Sequence, residues 1–144
     1  MRQQKSQGYL EVQVLTASQD QLLLMLLDGA VRFVEGARER LAAGDRDGKN
    51  GQLLRAQTIL LELIQSLSPA VGEKLYGNLI GLYKFIYRKL VEANLRDEAR
   101  CLEEGLIILQ EVRETWRQAV AAYRAGLAGG PPAPEPEKRL SVQA

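Results

Sequence analysis

Residues 16–30 read T-A-S-Q-D-Q-L-L-L-M-L-L-D-G-A, and the fold class follows from how this stretch is read. Ser18 is a good N-cap, and Gln21 three residues later completes a capping box, so a helix starts here. The apolar run from Leu22 to Leu27 then leads into Asp28 and Gly29. Leu22, Leu26, Gly29 and Phe33 mark one stripe; Leu23, Leu27, Ala30, Val34, Ala37 and Leu41 mark a neighbouring one. A helix of a small bundle needs a single apolar stripe, roughly 100° wide. This one is apolar over more of its circumference and must be covered on more than one side.

On the N-terminal side, residues 9–15 read Y-L-E-V-Q-V-L. Leu10, Val12 and Val14 alternate with Glu11 and Gln13, the period of an extended segment with one apolar side. With no sheet to join, residues 1–15 read as an N-terminal strap, either packed on the bundle or detachable from a groove meant for something else. On the C-terminal side the first helix runs over about 19–43 and stops at Gly44, a C′ glycine. Asp45 or Asn50 then caps a second helix with the stripe Leu53, Ala56, Leu60, Leu63 and Leu67, which Ser68-Pro69 ends.

A third helix spans about 73–94, with Leu75, Leu79, Leu82, Ile86 and Leu90 on one stripe and Tyr76, Ile80, Tyr83, Tyr87 and Val91 on the next. Gly77 and Gly81 weaken it by about 1 kcal/mol each. The close approach of another backbone would explain that cost, whether a helix of the same bundle or a partner. Asp97 caps a fourth helix over about 98–126, where Leu102, Gly105, Leu109, Val112, Trp116, Ala119 and Tyr123 fall at core spacing. From residue 127 Pro and Gly dominate and no period survives, the composition of a flexible tail with polyproline II character. The expected protein is all-α: an antiparallel up-down-up-down four-helix bundle over 16–126, an N-terminal strap over 1–15 and a disordered C-terminal tail over 127–144.

Composition narrows the function. Acidic and basic residues are interspersed to a net charge of +1, which makes no electrostatic bid for nucleic acid. No apolar run reaches the roughly 18 residues of a membrane span, and residues 1–8 are too polar for a signal core, so a cytoplasmic protein is expected. Histidine is absent and Cys101 is the only cysteine. That excludes Ser-His-Asp and Cys-His chemistry and any ordinary zinc site, and no cofactor is expected. Cys101 reads as a small core hydrophobe. Glu103 and Glu104 point about 100° apart on a helix, a poor acid/base pair. The surplus apolar surface on the first and third helices instead marks a partner site or an oligomer interface.

Tyr9, Val12, Thr16-Ala17-Ser18, Leu22 and the run Met25-Leu26-Leu27-Asp28-Gly29-Ala30 together resemble the opening signature of the flagellar secretion chaperones of the FliS family. Ala56, Ile59 and Leu63, then Asn78-Leu79, Leu82-Tyr83, Leu90, Ala93-Asn94 and Trp116, agree with it in order and spacing. The chain departs from the pattern at Gln19 (usually Pro), Leu27 (usually Tyr) and Gly105 (usually a branched aliphatic). The resemblance implies a non-enzymatic export chaperone that binds the disordered C-terminal segment of flagellin in the cytosol. It would prevent early polymerisation and assist delivery to the flagellar type III secretion apparatus. Other flagellar export or assembly factors are further candidate partners, and the protein would be a monomer or homodimer. The client-binding residues it implies are Leu23, Leu27, Leu79, Tyr83 and Tyr87 in a groove, Gly77 and Gly81 at points of close approach, and Tyr9 and Val12 in the strap. The alternative is a self-associating structural or adaptor bundle without a secretion client.

Overall fold

A computed structural model describes residues 19–128. The expected strap, the Ser18 cap and residues 129–144 of the expected tail lie outside the described residues. Four helices follow one another: α1 Gln19–Ala42, α2 Arg46–Ser66, α3 Glu73–Arg96 and α4 Ala99–Ala128, with a 3-10 turn at Pro69–Val71 between α2 and α3. Each helix packs on the next and α4 closes the ring on α1, as short connections require.

Cross-helix pairs fix the directions. Between α1 and α4, Arg38 meets Glu103 at 3.3 Å, Asp28 meets Arg117 at 3.3 Å and Asp20 meets Arg124 at 3.1 Å, so the two helices run antiparallel. Between α1 and α2, the Arg55 guanidinium lies over the Phe33 ring at 5.8 Å, and Gly29 faces Ile59. The α3–α4 seam carries Lys89–Glu104 at 2.7 Å, and there Gly105 lets the helices close up. A side chain at Gly105 would begin 3.1 Å from the Lys89 Cβ and 3.4 Å from a Leu90 methyl.

Local chemistry sets most boundaries. The Asp45 carboxylate accepts from the Gly48 N–H at 2.9 Å and caps α2, after Gly44 has turned the chain at φ 79°. Leu67 is extended ahead of Ser68-Pro69, and the Ser68 hydroxyl caps the 3-10 turn. Two boundaries differ from expectation: α4 runs to Ala128, two residues into the stretch expected as tail, and the α3–α4 junction falls elsewhere. Asp97 does not open α4; it ends α3 two residues later than the sequence suggests, in the left-handed region at φ 56° with its N–H on the Ala93 carbonyl at 3.0 Å. Aspartate tolerates both roles. The choice is made by Lys49, whose side chain is fully buried and whose ammonium pairs with Asp97. It also donates to the Ala93 and Asn94 carbonyls, both at 3.3 Å, and to Asn94 Oδ1 at 3.4 Å. Arg46 holds the other Asp97 oxygen at 2.9 Å. A cation thus sits on the last carbonyls of α3, at the C-terminus where the helix dipole favours it.

The core takes Leu27, Ala30, Val34 and Ala37 from α1, Leu53, Ala56, Leu60 and Leu63 from α2, Leu79, Tyr83, Ile86 and Leu90 from α3, and Leu102, Leu106 and Leu109 from α4. Tight packing within the bundle does not explain Gly77 and Gly81: both are exposed, with nothing within 4 Å of where a Cβ would stand.

Candidate functional site

The apolar surplus of α1 resolves along its length. Leu27 is fully buried, while Leu22, Leu23, Leu24 and Leu26 are half-buried and Met25 is 58% exposed. The half-buried residues line a cavity of about 380 Å³ at the end of the bundle where α1 begins and α2 finishes. Leu22, Leu23 and Leu26 form one wall, Leu63 and Leu67 of α2 another, and Tyr83 of α3 and Trp116 of α4 complete the lining. Gln19, Asp20, Glu62, Ser66 and Ser68 supply its polar groups.

The aromatic pair turns its polar atoms on each other. Trp116 Nε1–H donates to the Tyr83 hydroxyl at 3.0 Å, so both heteroatoms are satisfied without presenting a polar wall. Tyr83 is 1% exposed, and burial pushes its hydroxyl up to about 12 against the opposing effect of the Trp116 bond. On the α1–α4 side the lining is flanked by Asp20–Arg124 and by Asp28 with Arg113 and Arg117. The half-open apolar lining lies between α1 and α2, ahead of the 3-10 turn.

A second apolar feature lies on α2. Gln52, Arg55 and Ile59 meet α1, and Leu54 and Leu61, a heptad apart, lie on the flank away from those contacts. They are 55% and 41% exposed. Tyr87 of α3 is half-buried against the core.

Of the residues singled out in the sequence, the cavity brings together Leu23 and Tyr83. Leu27 and Leu79 are core and offer no surface in this conformation, and Tyr83 offers only what lines the cavity. Gly77 and Gly81 lie on the outer face of α3, and Tyr9 and Val12 fall outside the described residues. Sequence reasoning did not assign Leu22, Leu26, Leu67 and Trp116 to a binding site. The overloaded α1 surface was the available signal for the first two. No sequence pattern announced the Tyr83–Trp116 contact, which joins two helices across 33 positions.

Among the described residues, neither Cys101 nor Glu104 is poised for reaction. Cys101 is 7% exposed, and burial, reinforced by thiol hydrogen bonds to Glu98 and Glu92 at 3.5 Å, raises its pKa, the opposite of what a nucleophile needs. Glu104 is held below the ordinary carboxylate range, first by its hydrogen bond from Lys89. Among the described residues no cluster of His, Cys, Asp and Glu could hold a metal ion, and no helix is long and apolar enough to cross a membrane.

The family model described as Flagellar protein FliS matches residues 1–123. The chain belongs to the FliS family. It is 35% identical over 114 residues to the flagellar secretion chaperone FliS of Salmonella typhimurium, covering 78% of this chain and 84% of that protein. It is 31% identical over 117 residues to the Bacillus subtilis protein of the same name, covering 81% and 86%. The Escherichia coli FliS is 31% identical over 111 residues, covering 76% and 82%. FliS proteins are secretion chaperones and not enzymes, which agrees with a site built of leucines and an aromatic pair. The match takes in α1, α2, α3 and α4 as far as Tyr123, and so the whole cavity.

Proposed function

We propose that this FliS-family chain is a cytoplasmic export chaperone for flagellin. It holds the disordered C-terminal segment of that client against premature polymerisation and assists its delivery to the type III secretion apparatus. The observation that carries this reading is the open cavity floored by Tyr83 and Trp116, set in a bundle of a secretion-chaperone family. An amphipathic client stretch would lay its apolar face along Leu22, Leu23 and Leu26 and continue over Leu54, Leu61 and Tyr87 toward the open outer face of α3 at Gly77 and Gly81. Ordering a disordered segment on binding lowers the affinity gained per area, which suits cargo that must be let go.

A peptide from the C-terminal end of the cognate flagellin tests this. Mixing should raise helical circular dichroism above the sum of the components and yield a complex in size-exclusion chromatography; neither change would refute the reading. The second reading, a self-associating bundle, draws on the exposed Met25, Leu54 and Leu61. Native mass spectrometry across a dilution series would then show a dimer that persists without any client.

A further inference from the structure

The flank of α2 that carries Leu54 and Leu61 also carries two amides left unsatisfied by the described bundle. Asn50, Leu54, Gln57 and Leu61 follow one another at spacings of four, three and four, so they share one stripe of the helix. Gln57 is only 8% exposed, yet its Nε2 has no hydrogen-bond partner among the described residues, and the half-buried Asn50 leaves its Oδ1 unpaired in the same way. We propose, on the export-chaperone reading, that this stripe is the seam that selects the client: Gln57 and Asn50 accept a helix with two neutral hydrogen-bonding side chains, amide or hydroxyl, seven positions apart.

The spacing is that of a coiled-coil seam, with leucines at one core position of the heptad and amides at the other. Polar residues in such a seam fix register and partner at a cost in stability. A buried donor without a partner is unfavourable and rare in folded proteins. Gln57 lies between the two open leucines, so a helix that covers both passes over it. The last torsion of glutamine is broad, and turning it brings Nε2 to the seam. A helical client has its own backbone groups engaged internally, so the acceptor for Gln57 and the donor for Asn50 come from side chains. Asn, Gln, Ser and Thr can each supply both. A charged side chain would lose its water there, and the stripe holds no opposite charge to meet it.

Seam length favours a client over a second copy of the chain. The rise from Asn50 to Leu61 is about 16 Å on a helix about 10 Å across, which offers less than about 200 Å² to a partner. Stable dimers bury about 800 Å² on each side. A client held elsewhere on the bundle meets the seam as a tethered chain, at an effective concentration in about the mM range, and needs no larger contact. Discrimination follows from the unpaired atoms. A client helix that sets an apolar side chain over Gln57 leaves the donor without a partner and loses about tenfold in affinity for each bond unmade.

A peptide from the C-terminal end of the cognate flagellin, titrated into the full chain, tests the seam. Changing its Asn, Gln, Ser and Thr residues to Ala one at a time should reveal two positions, seven apart, each worth about tenfold in affinity. Gln57→Met should weaken the unaltered peptide about tenfold and make one of those positions insensitive; Asn50→Leu should do the same for the other. Both variants should melt in urea no earlier than the parent chain, since each removes an unpaired amide; earlier melting would show an amide already paired within the bundle and overturn the proposal. Unchanged affinity in Gln57→Met, or two positions that stay sensitive in both variants, would overturn the seam and leave the chaperone reading standing. A peptide that does not bind the parent chain at all would remove that reading and the seam with it. A dimer of the parent chain that Gln57→Met dissociates in native mass spectrometry would give the seam to a second copy and overturn the proposal as well.

Discussion

Replacing Lys49 with methionine should cost about 2–3 kcal/mol of folding stability, more than any surface charge of this bundle. The ammonium makes three hydrogen bonds, to the Ala93 and Asn94 carbonyls and Asn94 Oδ1, and pairs with Asp97. Hydrogen bonds to a charged group are worth about 1.5–3 kcal/mol in net terms, and a cation at a partly buried helix C-terminus adds up to about 2 kcal/mol. Two factors hold the loss below the roughly 3–5 kcal/mol of a broken buried pair. Methionine fills the space of the aliphatic stem, and Asp97 keeps Arg46 and is 25% exposed, so water can reach it. For a domain of this size such a loss lowers Tm by about 10 °C.

The pH dependence gives a second readout of the same contact. Asp97 is held below the ordinary carboxylate range, chiefly by its hydrogen bond from Lys49, with the Lys49 and Arg46 charges adding to it against burial. A depressed folded pKa contributes stability that is present above the unfolded value of about 3.9 and lost as pH falls through the folded value. Urea melts of parent and variant should therefore differ most near neutral pH and converge in part below about pH 4. A gap smaller than about 1 kcal/mol at neutral pH, or one that does not narrow in acid, would refute the assignment of Lys49 as the lock on α3.

Tyr83 should be the last tyrosine to ionise in an absorbance titration. Its folded pKa of about 12 lies above the ordinary 10, so its contribution to stability is complete below pH 10 and disappears as pH rises through 12; a normal titration of every hydroxyl would contradict its burial. Gly105→Leu should cost about 1–3 kcal/mol by overpacking the α3–α4 seam, measured by urea denaturation, because the new side chain would start 3.1 Å from Lys89 Cβ. Gly77→Ala with Gly81→Ala should instead raise stability by about 1–2 kcal/mol, since both positions are open and alanine is the better helix former. If a client helix approaches there, the same variant loses client affinity while it gains stability; unchanged affinity would remove these two glycines from the binding surface.

Most of the fold was legible because its signals are local. Asp45, Gly44 and Ser68-Pro69 each act on backbone groups within a few residues, so their effect can be read from neighbours in the chain. Asp97 was misread because its two roles are equally good locally. What decides between them is the ammonium of Lys49, 48 positions earlier, and a buried lysine has no sequence signature that separates it from a solvated one. Gly77 and Gly81 posed the complementary problem: a glycine in a helix signals missing volume, but only the placement of the other helices shows that the space is left empty rather than used.

The same division holds for residues 16–30. The sequence alone determined that this stretch begins a helix and that it is too apolar to be covered from one side. It could not rank the two stripes, which are rotated by a single residue and are both apolar. Tertiary structure placed Leu27 in the core and left Leu22, Leu23 and Leu26 half-open above Tyr83 and Trp116. Helical periodicity says which side chains share a face; which face is closed depends on where α2 stops and how α3 and α4 pack beneath it. That is a property of all the helices together, and no single stretch carries it.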